Sequence, residues 1–216
     1  MKAHAVAEDF PIVCVGGSVG GLDAYIRLLK HLPADLNVAI VIVNHLRAVP
    51  THLHEILPSH TDMPVELITD GMWIRPNRVF VIPAKHDLHI LDGKFQLKPI
   101  SKPWGWPDII SVCLCSLARH WRGKLVAVIV SGYDGDGAAA LRQIKEVGGI
   151  TIAQRVDTAN HPDMPISAIA SGFIDFILSP EDIARKIIEI ASDDKSPARG
   201  LGRRNPGTKR SNGKRP

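Results

Sequence analysis

Four runs in this 216-residue sequence are apolar, rich in valine and isoleucine, and do not alternate with polar residues: Phe10 to Val15, Asn37 to Val43, Lys124 to Val130 and Gly149 to Ala153. A strand with one wet face alternates, whereas a strand covered on both faces does not. The segments between and after these runs, Leu22 to Leu32, Asp108 to Trp121, Ala138 to Val147 and Pro180 to Ala191, carry apolar residues at helical spacing. In the first, Leu22, Tyr25, Ile26, Leu28, Leu29 and Leu32 would form one apolar face. Strands alternating with helices predict an α/β fold: a doubly wound, mostly parallel sheet with helices on both faces. The middle breaks this rhythm. Val79 to Pro83, His89 to Leu91 and Phe95 to Leu97 read as short strands, and Asp92-Gly93 between the last two signals a hairpin. A small antiparallel element is therefore expected at one edge. The expected division is a loose N-terminus over 1–9, one folded domain over 10–192, and a basic tail over 193–216.

The tail accounts for the sign of the net charge. Eight of the 26 lysines and arginines lie in 195–216 with no acid among them, so the rest of the chain sets 18 cations against 22 acids. The body is not basic, and nucleic acid is not expected as its main partner. The tail is rich in Pro, Gly and Ser, too polar to fold alone, and is either a solvated end or a binder of acidic surfaces. No apolar run reaches the ~20 residues of a membrane span, and the start lacks an apolar signal core. A cytoplasmic protein is expected. Three cysteines, Cys14, Cys113 and Cys115, are too few and too oddly spaced for a disulfide framework or a zinc site, and read as small core residues.

Chemistry concentrates in two loops. Ile12 to Leu22 reads strand, Gly16-Gly17-Ser18-Val19-Gly20-Gly21, helix. Glycines allow a sharp turn and close approach of other groups. Ser18 would stand at the C-terminal sheet edge, where open α/β sheets place ligands, near a helix N-terminus that favours negative charge. A dinucleotide fingerprint needs glycine where Ser18 stands, and a phosphate loop needs a lysine that is absent. Nucleophile, anion cradle and plain tight turn all remain open from the loop alone. A serine nucleophile needs a base. His45, directly after the second strand, would share the same edge, although capping or a solvated loop is its ordinary alternative. The pairs His52 and His54, and His86 and His89, lack a carboxylate-rich partner pattern, so no metal is expected. The second loop, Ser131-Gly132-Tyr133-Asp134-Gly135-Asp136-Gly137, again lies between strand and helix and offers two carboxylates. A calcium loop fails, because Ala138 and Lys145 stand at ligand positions. One of the two acids can be a simple helix cap.

Taken in order, Gly16 to Gly21, Ile42-Val43-Asn44-His45 and Ser131 to Ala138 resemble the catalytic domain of the bacterial chemotaxis protein-glutamate methylesterases, the CheB type. Gly71-Met72 with Pro76 to Pro83, and Ile152-Ala153-Gln154 with Met164-Pro165 to Ile169, resemble two further blocks of that family. The likeness spans about residues 11–190. It implies Ser18 as nucleophile, His45 as base and Asp136 as the orienting carboxylate. It also implies backbone N–H groups of His45 and Tyr133 as oxyanion donors, contacts to substrate at Val19, Met164 and Pro165, and no cofactor. The implied substrate is the methyl ester of glutamate side chains on the cytoplasmic region of chemoreceptors, with deamidation of receptor glutamine also open to the same chemistry. Asn44, Val19, Tyr133 and Arg155 depart from common family residues, which puts substrate preference rather than the triad in question. The family's usual receiver domain is not in this sequence, so a stand-alone catalytic domain with a separate regulator is expected. The alternative is a receptor- or signalling-protein-binding module that has lost turnover.

Overall fold

The computed structural model describes residues 10–45, 52–102 and 107–194. The ends assigned above to 1–9 and to most of the basic tail lie outside the described residues. Nine strands are present among those described: β1 Ile12–Gly17, β2 Ala39–Asn44, β3 Val65–Leu67, β4 Arg78–Val81, β5 His86–Leu91, β6 Lys94–Pro99, β7 Leu125–Ile129, β8 Ile150–Gln154 and β9 Phe176–Leu178. The helices are α1 Gly21–Leu29, α2 Leu53–Ile56, α3 Ile109–His120, α4 Leu141–Glu146, α5 Asp163–Ala170 and α6 Pro180–Asp194.

Seven strands form one parallel sheet in the order β3-β4-β2-β1-β7-β8-β9. From β1 the sheet extends through β7, β8 and β9 on one side and through β2, β4 and then β3 on the other, the reversal of direction that marks a doubly wound fold. The four apolar runs became β1, β2, β7 and β8. Successive residues on them point to opposite faces, and both faces are filled. Ile12, Cys14, Val41, Val43, Ala127 and Ile129 join one core with α3 and α4, and Val13, Val15, Ile40, Ile42, Val126 and Val128 join the other with α1 and α6. This explains the missing alternation: each side chain, whichever way it points, leaves water. Burying one such branched side chain contributes about 1.5–3 kcal/mol before chain entropy is counted.

The Asp92-Gly93 turn closes β5 onto β6 with Leu88 opposite Leu97 and Ile90 opposite Phe95. This hairpin is a separate two-stranded antiparallel sheet, and Leu88, Ile90 and Phe95 bury into the α3 core. The run Val79 to Pro83, read above with the hairpin, instead enters the main sheet as β4, parallel to β2. Two short strands, β3 and β9, and helix α5 were not foreseen. Each of the strands has only three residues, too few to carry a pattern. The segment Ala138 to Val147, read as one helix, begins as a short 3-10 turn over Ala138–Ala140 and continues as α4. In α1, Tyr25, Leu28 and Leu29 bury as expected, while Leu22 is 37% exposed at the helix start. Cys14 and Cys113 are buried thiols with sulfurs 3.9 Å apart, and Cys115 is half-buried. Among the described residues no group of His, Cys, Asp and Glu is arranged to hold a metal ion, and no helix is long and apolar enough to cross a membrane.

Candidate active site

Parallel strands deliver their C-terminal ends to one edge, so the loops after β1, β2, β7 and β8 converge there. Backbone hydrogen bonds stitch them together. Ser18 N–H donates to the Ser131 carbonyl at 2.9 Å, His45 N–H to Gly17 at 2.9 Å, and Gly132 N–H to His161 at 2.9 Å. Met164 N–H returns to the Gly132 carbonyl at 3.0 Å. The Ser131 hydroxyl accepts the His161 amide at 2.9 Å and lies 3.1 Å from the Val19 carbonyl. Gln154, fully buried at the end of β8, accepts the Ser131 amide at 3.0 Å and donates to the Thr158 carbonyl at 2.8 Å.

The turn carrying Ser18 depends on glycine in two ways. Gly20 has φ +79, a left-handed conformation that other residues adopt at a cost, and it caps α1. Gly132, on the facing loop, leaves no room for a side chain: a Cβ there would fall 2.9 Å from Ser18 Cβ and collide with the Met164 sulfur. Ser18 is half-buried, with its hydroxyl donating to the His45 carbonyl at 3.2 Å. Asn44, just before His45, accepts from the buried Tyr25 hydroxyl at 3.1 Å, which braces the end of β2 on α1.

The His45 imidazole is buried, and its Nδ1 lies 2.6 Å from Oδ2 of Asp134. The resemblance gave the imidazole to Asp136; the carboxylate in close contact is that of Asp134. Asp136 is turned to the start of α3, where it accepts from Ile110 N–H at 2.8 Å, Ser111 N–H at 3.0 Å and the Ser111 hydroxyl at 2.7 Å. A helix N-terminus presents unpaired N–H groups, and a carboxylate satisfies them. Burial pushes the Asp136 carboxyl above its ordinary range, opposed by the Ser111 hydroxyl, by the two amides and by attraction to His45. Asp136 is thus an electrostatic neighbour of His45, while Asp134 touches it.

The two amides expected as oxyanion donors stand differently in the fold. The amide of His45 is already engaged by Gly17, because β2 continues its ladder with β1 through that residue. The amides of Val19 and Tyr133 make no hydrogen bond among the described residues, and both flank Ser18. Of the expected substrate contacts, Val19 is exposed, but Met164 and Pro165 are buried. The Met164 side chain packs against Gly132. An aromatic pair not foreseen stands beside the turn: Tyr133, 53% exposed, and His161, with ring centroids 4.1 Å apart. A cavity of about 320 Å³ lies along the acid loop, lined by Ser111, Asp134, Gly135 and Asp136 among others. His54 lies on α2 with His52 at its N-cap, and His86 and His89 lie on β5. Ser111 had no legible signal, since it meets Asp136 across 25 residues.

Fold and site together define a doubly wound α/β protein with a serine, a histidine and two carboxylates gathered at one sheet edge. The family model for CheB methylesterase matches residues 13–187, and the chain belongs to that family. A protein-glutamate methylesterase/protein-glutamine glutaminase of Pseudomonas aeruginosa is 33% identical over 181 residues, covering 83% of this chain and 54% of that protein. One from the group 3 operon of Rhizobium meliloti is 32% identical, covering 91% and 58%. The chain therefore spans about half the length of the curated relatives it matches. The crystal structure of the Thermotoga maritima CheB methylesterase catalytic domain superposes with a TM-score of 0.76 at 28% identity, covering 84% of this chain and 99% of that one.

Proposed function

We propose that this chain is a serine esterase that hydrolyses methyl esters of glutamate side chains on chemoreceptors, with deamidation of receptor glutamine open to the same site. The observation that carries this reading is the convergence of Ser18 and His45 on one edge, Ser18 donating to the backbone of the residue that bears the imidazole. The mechanism requires the Ser18 hydroxyl to turn from that carbonyl toward the imidazole. His45 takes the proton from Ser18 as its oxygen attacks the γ-carbonyl carbon. The carbonyl oxygen gains negative charge, which the free amides of Val19 and Tyr133 and the N-terminus of α1 stabilise. His45 returns the proton to the departing methoxide, so methanol leaves. Water, deprotonated by the same imidazole, attacks the acyl-enzyme and restores Ser18. The carboxylates of Asp134 and Asp136 stabilise the imidazolium formed in each half.

The test is methanol release from methylated receptor by the wild type and by Ser18→Ala. The expected result is loss of activity in the variant with an unchanged melting temperature. Undiminished release by Ser18→Ala would remove Ser18 as nucleophile. A fluorophosphonate probe that labels the wild type, but neither Ser18→Ala nor His45→Ala, is the result expected of an enzyme rather than a binding module.

A further inference from the structure

The family likeness supplies one orienting carboxylate, Asp136, but the loop carries two. We propose that Asp134 is a second positioning carboxylate of His45, acting beside Asp136 on the same imidazole. The proposal rests on the reading of His45 as the base. Its geometry has two parts. Oδ2 of Asp134 lies 2.6 Å from Nδ1 of His45, with the two side chains 16% and 2% exposed, so the contact is largely shielded from water. Oδ1 of the same carboxylate accepts the Asp136 N–H at 2.9 Å. Asp134 is therefore fixed at one oxygen by its own loop and presents the other to the ring, as a side chain turned back onto the backbone two residues on can do.

Asp136 is fixed differently. Its three directed bonds all run to Ile110 and Ser111 on α3. It anchors the loop to the helix and acts on His45 through space. The Ser111 hydroxyl also accepts the Gly137 amide at 2.9 Å, which ties the far side of the loop to the same helix turn. Asp134 is the more exposed of the two acids and the one whose carboxylate oxygen meets the ring. The two acids divide the work: Asp136 holds the loop in place, and Asp134 selects the Nδ1–H tautomer that leaves Nε2 to accept a proton.

Asp134→Asn separates these roles within one residue, since asparagine keeps an oxygen for the Asp136 amide and loses the charge facing the ring. The readouts are kcat and KM for methanol release, the rate of fluorophosphonate labelling, and the low-field proton resonance of His45 Nδ1–H. The expected result is a fall in kcat of about 100-fold, within the span of general-base effects and short of the ~10⁴-fold seen when a sole orienting carboxylate is lost. KM and melting temperature should change little, and the His45 resonance should move. Asp136→Asn should instead lower the melting temperature as well. Unchanged kcat and an unmoved resonance in Asp134→Asn, with both altered in Asp136→Asn, would overturn the proposal. If the wild type neither releases methanol nor takes the probe, the esterase reading fails. The resonance shift in Asp134→Asn would still report on the contact itself.

Discussion

Gly132 shows how an absent side chain can shape the candidate site. It has no chemistry, yet its missing side chain lets the β7 loop lie against Ser18 and Met164. Gly132→Ala is expected to force the loops apart, at about 1–3 kcal/mol of overpacking. Displacing Ser18 by ~1 Å is enough to lower activity about 100-fold. Thermal melting and the rate of fluorophosphonate labelling measure the two effects; a variant with wild-type labelling would show that the loops have room to spare. At this scale the sequence marked Ser18 and His45 by position, each directly beyond an apolar strand. It offered Asp134 and Asp136 together, two residues apart in one loop, and only the family resemblance favoured Asp136. In the fold the amides of Ile110 and Ser111 capture Asp136, and Asp134 faces the ring. The availability of an amide was equally hidden: His45 N–H looks free in the sequence and is bound to Gly17 in the fold.

Helices α1 and α6 lie side by side on one face of the sheet, and their contact includes one ion pair of Arg27 with Glu181, at 2.6 Å from Nε. The hydrogen bonds from Arg27 lower the Glu181 carboxyl from an ordinary 4.5 to about 2, against a smaller opposing effect of burial. A carboxylate depressed by folding adds stability above its unfolded value and loses it as pH falls through the folded one. The melting-temperature gap between wild type and Glu181→Gln should therefore be full above pH 4.5 and close as pH falls toward 2. A gap that does not depend on pH in that window would count against the charge pair. The pair is partly exposed, so salt should shrink the gap as well. Most of the longer elements were legible because their spacing repeats. α5 was not: it has only eight residues, one of them Pro165 in its first turn, and it is held by Gly132 and by Ala168 buried in the α3 core. β4 was seen as a strand but given the wrong neighbour, since nothing local tells a run of four residues which edge it will pair with.

Across the whole molecule, one sheet separates two cores and both depend on it. Leu28 fills one core and Ile110 the other, each 1% exposed or less. Leu28→Ala and Ile110→Ala are each expected to cost about 2–5 kcal/mol. Unfolding should remain a single transition, coincident by circular dichroism and tryptophan fluorescence, because neither core survives without the shared strands. Separate transitions would mean that the two faces fold independently. The fold class, the four central strands and the glycine turn bearing Ser18 were determined by the sequence itself. Those features rest on local causes: burial on both faces removes alternation, and a tight turn admits only small residues. The tertiary structure alone decided which carboxylate meets His45, that the Val19 and Tyr133 amides make no hydrogen bond among the described residues, and that Met164 is buried against Gly132. Each of those outcomes depends on hydrogen bonds and contacts between segments far apart in the chain, where a donor is taken or left free only once the sheet has brought its competitors together.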